Sequence, residues 1–405
     1  MENNLILKLR FPEFKKNWEN KSFNSLYTFK STNSFSRENL NYENGEIKNI
    51  HYGDIHTKFN TLFDITKEKV PFINSTIDIS KIKEDSYVEE GDLIIADASE
   101  NYDDIGKMIE VVNVNNEKLV AGLHTFLAKR KNSNNAIGFT ANLVKTWNVR
   151  QQILKIAQGT KVLSLSTGRL GEINLTIPQP EEQQKIASFL TSVDERLTLL
   201  AQQKEKLEFY KKGVMQQIFS QKLRFKDENG NNYPDWEERK LGEIGKFYAG
   251  GDLDKLKYSK LKNDEFVYPI YANGAGEGIY GYATTYQYKS NSVTVSGRGN
   301  LGFAKVREQK FNAIVRLIVI EPNENIKPKF LEEIINQTKF AIESTGVPQL
   351  TVPQIKSYKI NVPSLIEQQK IASFLSAIDV QIEGVSKKIE QTKLFKKGLL
   401  QQMFV

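Results

Sequence analysis

Gly276, Gly278 and Gly281 stand in the spacing GxGxxG, the pattern of a loop that cradles a nucleotide phosphate. Such a cradle needs a helix to start directly after the glycines, so that its free N–H groups meet the phosphate. The residues after Gly281 are Tyr282-Ala283-Thr284-Thr285-Tyr286, β-branched and aromatic, so the run reads as a turn-rich loop and not a cofactor site. The only histidines are His51, His56 and His124, and none stands in HExxH or a comparable ligand spacing. Asp97 with Asp103-Asp104 offers carboxylates for a nuclease-type cluster, but no Glu-x-Lys comes after them, and a solvated loop is the simpler reading. There is no GxxxxGK[ST] loop for ATP hydrolysis and no Asn/Asp-Pro-Pro-Tyr/Phe. The chain is poor in catalytic candidates.

It is richer in residues that bind. Between Phe247 and Tyr288 lie ten aromatics: Phe247, Tyr248, Tyr258, Phe266, Tyr268, Tyr271, Tyr280, Tyr282, Tyr286 and Tyr288. Among and after them sit Asn273-Gly274-Ala275-Gly276 and Ser296-Gly297-Arg298-Gly299-Asn300. Tyrosine has a flat apolar body with a polar tip, glycine lets a backbone approach closely, and Arg or Asn pairs bidentately with guanine or adenine edges. That is a sensible surface for reading a nucleic acid. The plainer alternative is a β-rich core with tight turns, which absorbs most of the tyrosines.

The elements that position these residues are set by an internal repeat. Ile177 to Phe219 and Val362 to Phe404 align without a gap at an offset of 185 (362 − 177), with 18 identities over 43 positions. The run EQQKIASFL is identical at Glu182–Leu190 and Glu367–Leu375, as are KKG and QQ further on. In the first copy Ile186, Leu190, Val193, Leu197, Leu200, Lys204, Leu207, Lys211, Val214 and Ile218 recur in steps of four and three, and the second copy keeps the same places. Each copy therefore predicts one long helix with a heptad seam. Pro178, Pro180 and Pro363 precede the helices, where a missing N–H does least harm. Lys211 and Lys396 interrupt both seams beside Phe209-Tyr210 and Leu394-Phe395, which suggests a stutter turning the aromatics inward. Two such helices in one chain, each after a globular segment, favour an internal antiparallel pair over a homodimer zipper. At ~1.5 Å per residue, roughly 39 residues give a rod of about 58 Å.

The duplication extends weakly outside the helices, with Leu9-Arg10-Phe11-Pro12 leading to Trp18-Glu19 and Leu223-Arg224-Phe225 leading to Trp236-Glu237. The intervening heads have diverged. The expected division is 1–177 first head, 178–222 first helix, 223–362 second head and 363–405 second helix. Asp92–Ala96, Met108–Val114, Ser292–Ser296 and Ala313–Ile320 read as strands, and Asn142–Ala157 and Lys329–Ser344 as helices. The fold class expected is α+β: two strand-rich domains joined and spaced by two long antiparallel coiled-coil helices in a pseudo-twofold duplication.

The bulk properties permit this reading without demanding it. The net charge of +7 and pI near 9.0 lean mildly toward a polyanionic partner. Residues 18–177 carry 19 Lys+Arg and 20 Asp+Glu, while residues 236–362 carry 18 and 14. No apolar run is long enough to span a membrane, the N-terminus lacks the features of a signal peptide, and cysteine is absent, all of which fits a cytoplasmic protein.

Two variable heads, each leading into a helix that carries EQQKIASFL and KKG…QQ, resemble the specificity subunit of type I restriction-modification systems across essentially the whole chain. Tyr52–Lys58, Glu90–Leu93, Ala121–His124 and Tyr271–Gly274 also look like segments common in that family. The resemblance implies that each head is a target-recognition domain reading one half of a split double-stranded DNA site, with the coiled coil fixing the gap. It implies a chain without catalysis or cofactor of its own. Modification subunits, two if the copies are equivalent, would hold S-adenosylmethionine and methylate adenine. Restriction subunits would use ATP and Mg to translocate and cleave DNA.

Expected DNA-binding residues are Tyr52, His56, Lys58, Ser99, Asn101 and Tyr102 in the first head, with Lys129 and Arg130 as phosphate contacts. In the second head they are Asn273, Tyr280, Tyr282, Ser296, Arg298 and Asn300. The Tyr52–Lys58 and Asn273–Tyr282 loops are expected to correspond, as are Asp97–Tyr102 and Ser296–Asn300. Glu182, Gln183, Lys185 and Phe189, with Glu367, Gln368, Lys370 and Phe374, are the expected partner contacts. Two other classes compete: a self-contained two-lobed DNA methyltransferase or nuclease, and a coiled-coil scaffold whose heads bind proteins.

Overall fold

A computed structural model describes residues 9–131, 134–273, 278–341 and 348–404. The chain divides into two units, Met1–Ala201 with Lys388–Val405, and Gln202–Lys387. Each unit holds one head together with one end of each long helix.

In the first unit a five-stranded sheet has the order Tyr27–Lys30, Thr125–Arg130, Leu93–Ala96, Met108–Asn113, Leu62–Asp64, antiparallel except for its last pair. Leu93-Ile94-Ile95-Ala96 is apolar throughout because its two faces bury different cores. Leu93 and Ile95 face one apolar cluster, Ile94 and Ala96 the other. A smaller sheet runs Leu119–Ala121, Lys48–Ile50, Phe72–Ile73, Leu40–Asn41, its first pair parallel.

The second unit repeats this plan. Its larger sheet has the order Gly245–Ala249, Ile318–Pro322, Ser292–Val295, Ala304–Arg307, all antiparallel. The smaller one runs Tyr258–Ser259, Ile279–Ala283, Tyr268–Tyr271, Asn312–Ala313, the last pair again parallel. In each unit a two-stranded ribbon, Glu19–Ser22 with Asn174–Ile177 or Glu237–Lys240 with Lys359–Val362, joins the head to the helix after it. The heads have diverged in sequence, but their shared strands keep one order; Leu62–Asp64 is an edge strand that the four-stranded sheet lacks among the described residues.

The long helices are Pro180–Phe219 and Leu365–Met403. Each unit's core runs on into them, so the helices are not separate from the heads. Ile186, Leu190 and Val193 pack with Leu399, Met403 and Phe404 in the first unit, and Val214, Met215 and Ile218 with Ile371, Leu375 and Ile378 in the second. The start of one helix thus lies beside the end of the other in each unit, the arrangement of an antiparallel pair.

The stutter at Lys211 and Lys396 does not occur. Phe209 and Phe395 are 78% and 53% exposed, and the lysines stay at the seam. Their ammonium groups reach carboxylates on the facing helix, while their stems cover apolar surface. Three predicted elements are also broken. The helix expected over Asn142–Ala157 is Thr140–Leu143 and then Trp147–Ile156, interrupted where Thr146 donates to the Leu143 carbonyl in extended geometry. The strand expected over Ala313–Ile320 is split between Asn312–Ala313 and Ile318–Pro322, because Val315 and Arg316 take left-handed φ of 54° and 58°. The helix Pro328–Gln337 stops at Thr338, whose hydroxyl donates to Ile334, and residues 342–344 of its expected extent lie outside the described residues.

Candidate nucleic-acid interface

In the first head the strand Lys48–Ile50 runs directly into the helix Tyr52–Thr57, so the predicted Tyr52–Lys58 loop is a short helix. The His51 ring nitrogen Nδ1 caps it by accepting from Gly53 N at 3.2 Å, and burial holds His51 below the usual histidine pKa. All three histidines gather round Tyr52. His51, His56 and His124 have ring centroids 4.6, 5.7 and 5.3 Å from the tyrosine ring. His56 Nε2 lies 3.1 Å from the Ala98 carbonyl and is taken up by it as a donor. His124 Nδ1 lies 3.3 Å from Asp97, a carboxyl that burial pushes above its usual range although His124 opposes the shift.

Other predicted residues of this head have internal duties. Lys58 pairs with the fully buried Asp54 at 2.9 Å and donates to Tyr42. Arg37 takes the other Asp54 oxygen at 2.7 Å. Although burial alone would raise Asp54, these two cations hold it below its usual pKa. Ser99 is buried, and Asn101 brackets Asp104 through both backbone and side chain, which leaves the exposed Tyr102 as the open member of that turn. Lys129 is drawn to the Tyr87 carbonyl, Glu89 and Asp92, and Arg130 donates to the Asn135 carbonyl. Their expected role as phosphate contacts meets local carboxylates that already neutralise Lys129.

In the second head Asn273 ties two loops together. Its Oδ1 accepts from Gly297 N at 2.8 Å, and its Nδ2 donates to the Val315 carbonyl. Ser296 is buried, whereas Arg298 and Asn300 are exposed around Gly299, whose φ of 70° suits glycine. The Arg298 guanidinium donates to Gln349 at 3.1 Å. Tyr280 is exposed and its ring lies tilted against Tyr258 at 5.5 Å, while Tyr282 is half-buried on the same strand. Of the ten aromatics, Tyr248, Tyr280 and Tyr286 are exposed and Tyr271 is buried. Gly274, Ala275, Gly276 and Glu277 lie outside the described residues, and the strand Ile279–Ala283, not a helix, comes after Gly278.

Four of the eight predicted partner residues, Glu182, Gln183, Glu367 and Gln368, are buried. Glu182 and Glu367 are 2% and 0% exposed and are held identically by their own units. Arg10 donates to both Glu182 oxygens at 2.8 Å and Trp18 Nε1 adds a third bond, while Arg224 and Trp236 do the same to Glu367. Gln183 accepts from Ala136 N and donates to Pro178 O, and Gln368 accepts from Lys327 N and donates to Pro363 O. Glu182, Gln183, Glu367 and Gln368 thus build a clamp between arm, head and helix with their side chains buried, while Lys185 stays exposed. Phe189 and Phe374 pack edge-on against Phe11 and Phe225. Lys185 lies over the Phe11 ring and pairs with Glu13, and Lys370 donates to the Lys226 carbonyl. The weak repeat of Arg10…Trp18 in Arg224…Trp236 was the sequence signal for this clamp.

Among the described residues no group of three or more His, Asp or Glu is placed to hold a metal ion. No described helix is long and apolar enough to cross a membrane.

Two heads, each clamped by the same residues to the start of a long helix, define a duplicated two-headed protein. The chain belongs to the family of the type I restriction modification DNA specificity domain, whose model matches residues 15–209 and again 233–393. A putative type I specificity subunit of Mycoplasma pneumoniae is 32% identical over 211 residues, 52% of this chain and 56% of that protein. A second from the same organism is 34% identical over 172 residues, 40% of this chain and 51% of the other. The chain thus spans about half the length of these relatives. The S subunit of a type I restriction-modification system from M. genitalium has the same fold, with a TM-score of 0.64 at 17% identity over 99% of both chains.

Proposed function

We propose that the chain is the non-catalytic specificity subunit of a type I restriction-modification complex. Each head reads one half of a bipartite site on double-stranded DNA, and the paired helices set the gap between the halves. The observation that carries this reading is the repetition of the Arg–Glu–Trp clamp at Glu182 and Glu367, which gives two heads of like topology the same attachment to like helices. Methylation of adenine with S-adenosylmethionine belongs to modification subunits, two in number to match the two copies. ATP- and Mg-dependent translocation and cleavage belong to restriction subunits. With the Glu-Gln pairs buried, each unit has its own exposed apolar helix surface open to a modification subunit, Leu394-Phe395 in the first and Phe209-Tyr210 in the second.

The test is co-expression with the cognate modification subunit in a methylation-free host, and then genome-wide mapping of methylated adenines. A split motif with a fixed gap is expected. A contiguous motif, or none from an assembled complex, overturns the reading, and S-adenosylmethionine binding by the chain alone would favour a self-contained methyltransferase.

A further inference from the structure

We propose that His124 and Arg316 are equivalent base-reading residues, one for each half-site, an assignment that rests on the DNA-reading role above. The strands that the two heads share come in the same order, so residues on them can be equated by their pairing. Phe126 pairs with Ile95, and Ile318 pairs with Val295 in the same place of the second head. His124 stands two residues before Phe126, and Arg316 two residues before Ile318.

The backbone agrees at four further points. Gly122 N donates to Ile50 O at 2.8 Å, and Ile314 N to Tyr271 O at 2.9 Å, fixing the start of each turn. The next carbonyl is then gripped by the residue beyond the short sheet: Tyr52 N donates to Leu123 O, and Asn273 Nδ2 to Val315 O. His124 and Arg316 come next, both left-handed, with φ of 55° and 58°. The His124 carbonyl accepts from Asp97 N, and Gly297, at the matching place, approaches Arg316 so closely that a Cβ there would lie 3.2 Å from its carbonyl. Two of the expected readers, Tyr52 and Asn273, are therefore clamps that hold another residue in position.

Left-handed backbone is strained for residues with a Cβ, and a glycine would occupy either position without strain. Each position instead carries an exposed side chain with nitrogen donors. Among the described residues the Arg316 guanidinium makes no hydrogen bond, and its five donors suit the O6 and N7 of guanine. Nδ1 of His124 donates toward Asp97 and Tyr52 backs the ring edge-on, which leaves Nε2, the acceptor of that tautomer, to meet the exocyclic amino group of adenine or cytosine.

The test assembles His124→Ala and Arg316→Ala chains with the cognate modification subunit and maps the methylated motif. Each variant is expected to lose about tenfold or more discrimination at one base of its own half-site and to leave the other half-site unchanged. Because alanine retains the strain, His124→Gly and Arg316→Gly are run beside them and should give the same half-specific relaxation in a turn that glycine tolerates. An unchanged motif in all four variants overturns the assignment while the wild-type split motif preserves the function. Uniform weakening with the motif intact and a shallower salt dependence would mean phosphate contacts, and also overturns it. If the wild-type complex itself has no split motif, the function proposed above fails first.

Discussion

Lys396 donates to both carboxylate oxygens of Asp194, at 2.6 and 2.7 Å, and Lys211 does the same to Asp379 at 2.8 and 2.9 Å. Both lysines and both aspartates are separated by the repeat offset of 185, so the internal duplication is written in ion pairs as well as in apolar contacts (396 − 211 and 379 − 194). Lys211 has a further partner that Lys396 lacks: the buried Glu333, at 3.1 Å, which burial pushes above the usual carboxylate pKa although Lys211 and Lys329 draw it down. Removing Lys211 leaves Glu333 with Lys329 at 3.4 Å. Lys211→Met should therefore cost about 2–4 kcal/mol in urea unfolding and Lys396→Met about 1 kcal/mol, because Asp194 and Asp379 are alike about one-third exposed and only Lys211 also serves a buried carboxylate. Equal costs would show that Glu333 does not depend on Lys211.

The clamp predicts parallel losses in the two units. Glu182→Gln and Glu367→Gln each leave an arginine partly unpaired and weaken a tryptophan N–H bond in a buried site. Each should destabilise by about 2–4 kcal/mol. Thermal unfolding of the double variant should show nearly additive losses, since the two clamps share no residue.

Asn273→Ala removes both stitches between the Gly297 and Val315 loops. Methylation mapping is expected to show relaxed specificity in the second half-site and an unaltered first. Asn273→Asp keeps the acceptor for Gly297 N but not the donor to Val315, and should fall between. A new base preference in Asn273→Asp would instead argue for direct contact.

Seven residues inserted in register into both long helices lengthen the pair by about 10.5 Å, the rise of two helical turns. The expected result is a gap longer by about three base pairs, with both half-site sequences kept. A changed half-site with an unchanged gap would mean that the helices do not set the spacing.

Glu110 is fully buried and accepts from Gly138 N and Ala141 N. Burial raises its pKa to about 7, against the pull of those two bonds. A carboxyl whose folded pKa is raised contributes most below its unfolded pKa and loses that contribution as pH climbs through about 7. Glu110→Gln does not titrate, so the stability of wild type minus that of the variant should shrink between pH 5 and 8. The fall is expected to approach about 3 kcal/mol. Denaturant melts of both proteins at pH 5, 6, 7 and 8 measure it, and a flat difference would show that Glu110 is ionised throughout.

The duplication, the heptad helices and the strand-rich heads were legible in the sequence, because periodicity is local and a repeat needs only comparison of the chain with itself. Leu93–Ala96 and Met108–Asn113 lie where their apolar runs put them. Only the tertiary structure decided what the repeated residues do. Glu182 meets Arg10 across 172 residues and Glu367 meets Arg224 across 143, distances over which no local pattern reports a partner. Polar identity in a helix therefore read as an outward face when it marked a buried clamp. Phe209 and Phe395 looked like candidates for the interior because they are apolar, yet a lysine with a carboxylate across the seam holds the inner position. His124 closes the Ala121–His124 segment, but Arg316 carries no motif, and nothing in the sequence pairs the two. They become equivalent only when two sheets of the same strand order bring each beside its own clamp, since hydrogen-bond register, and not sequence spacing, determines where a turn presents its side chain.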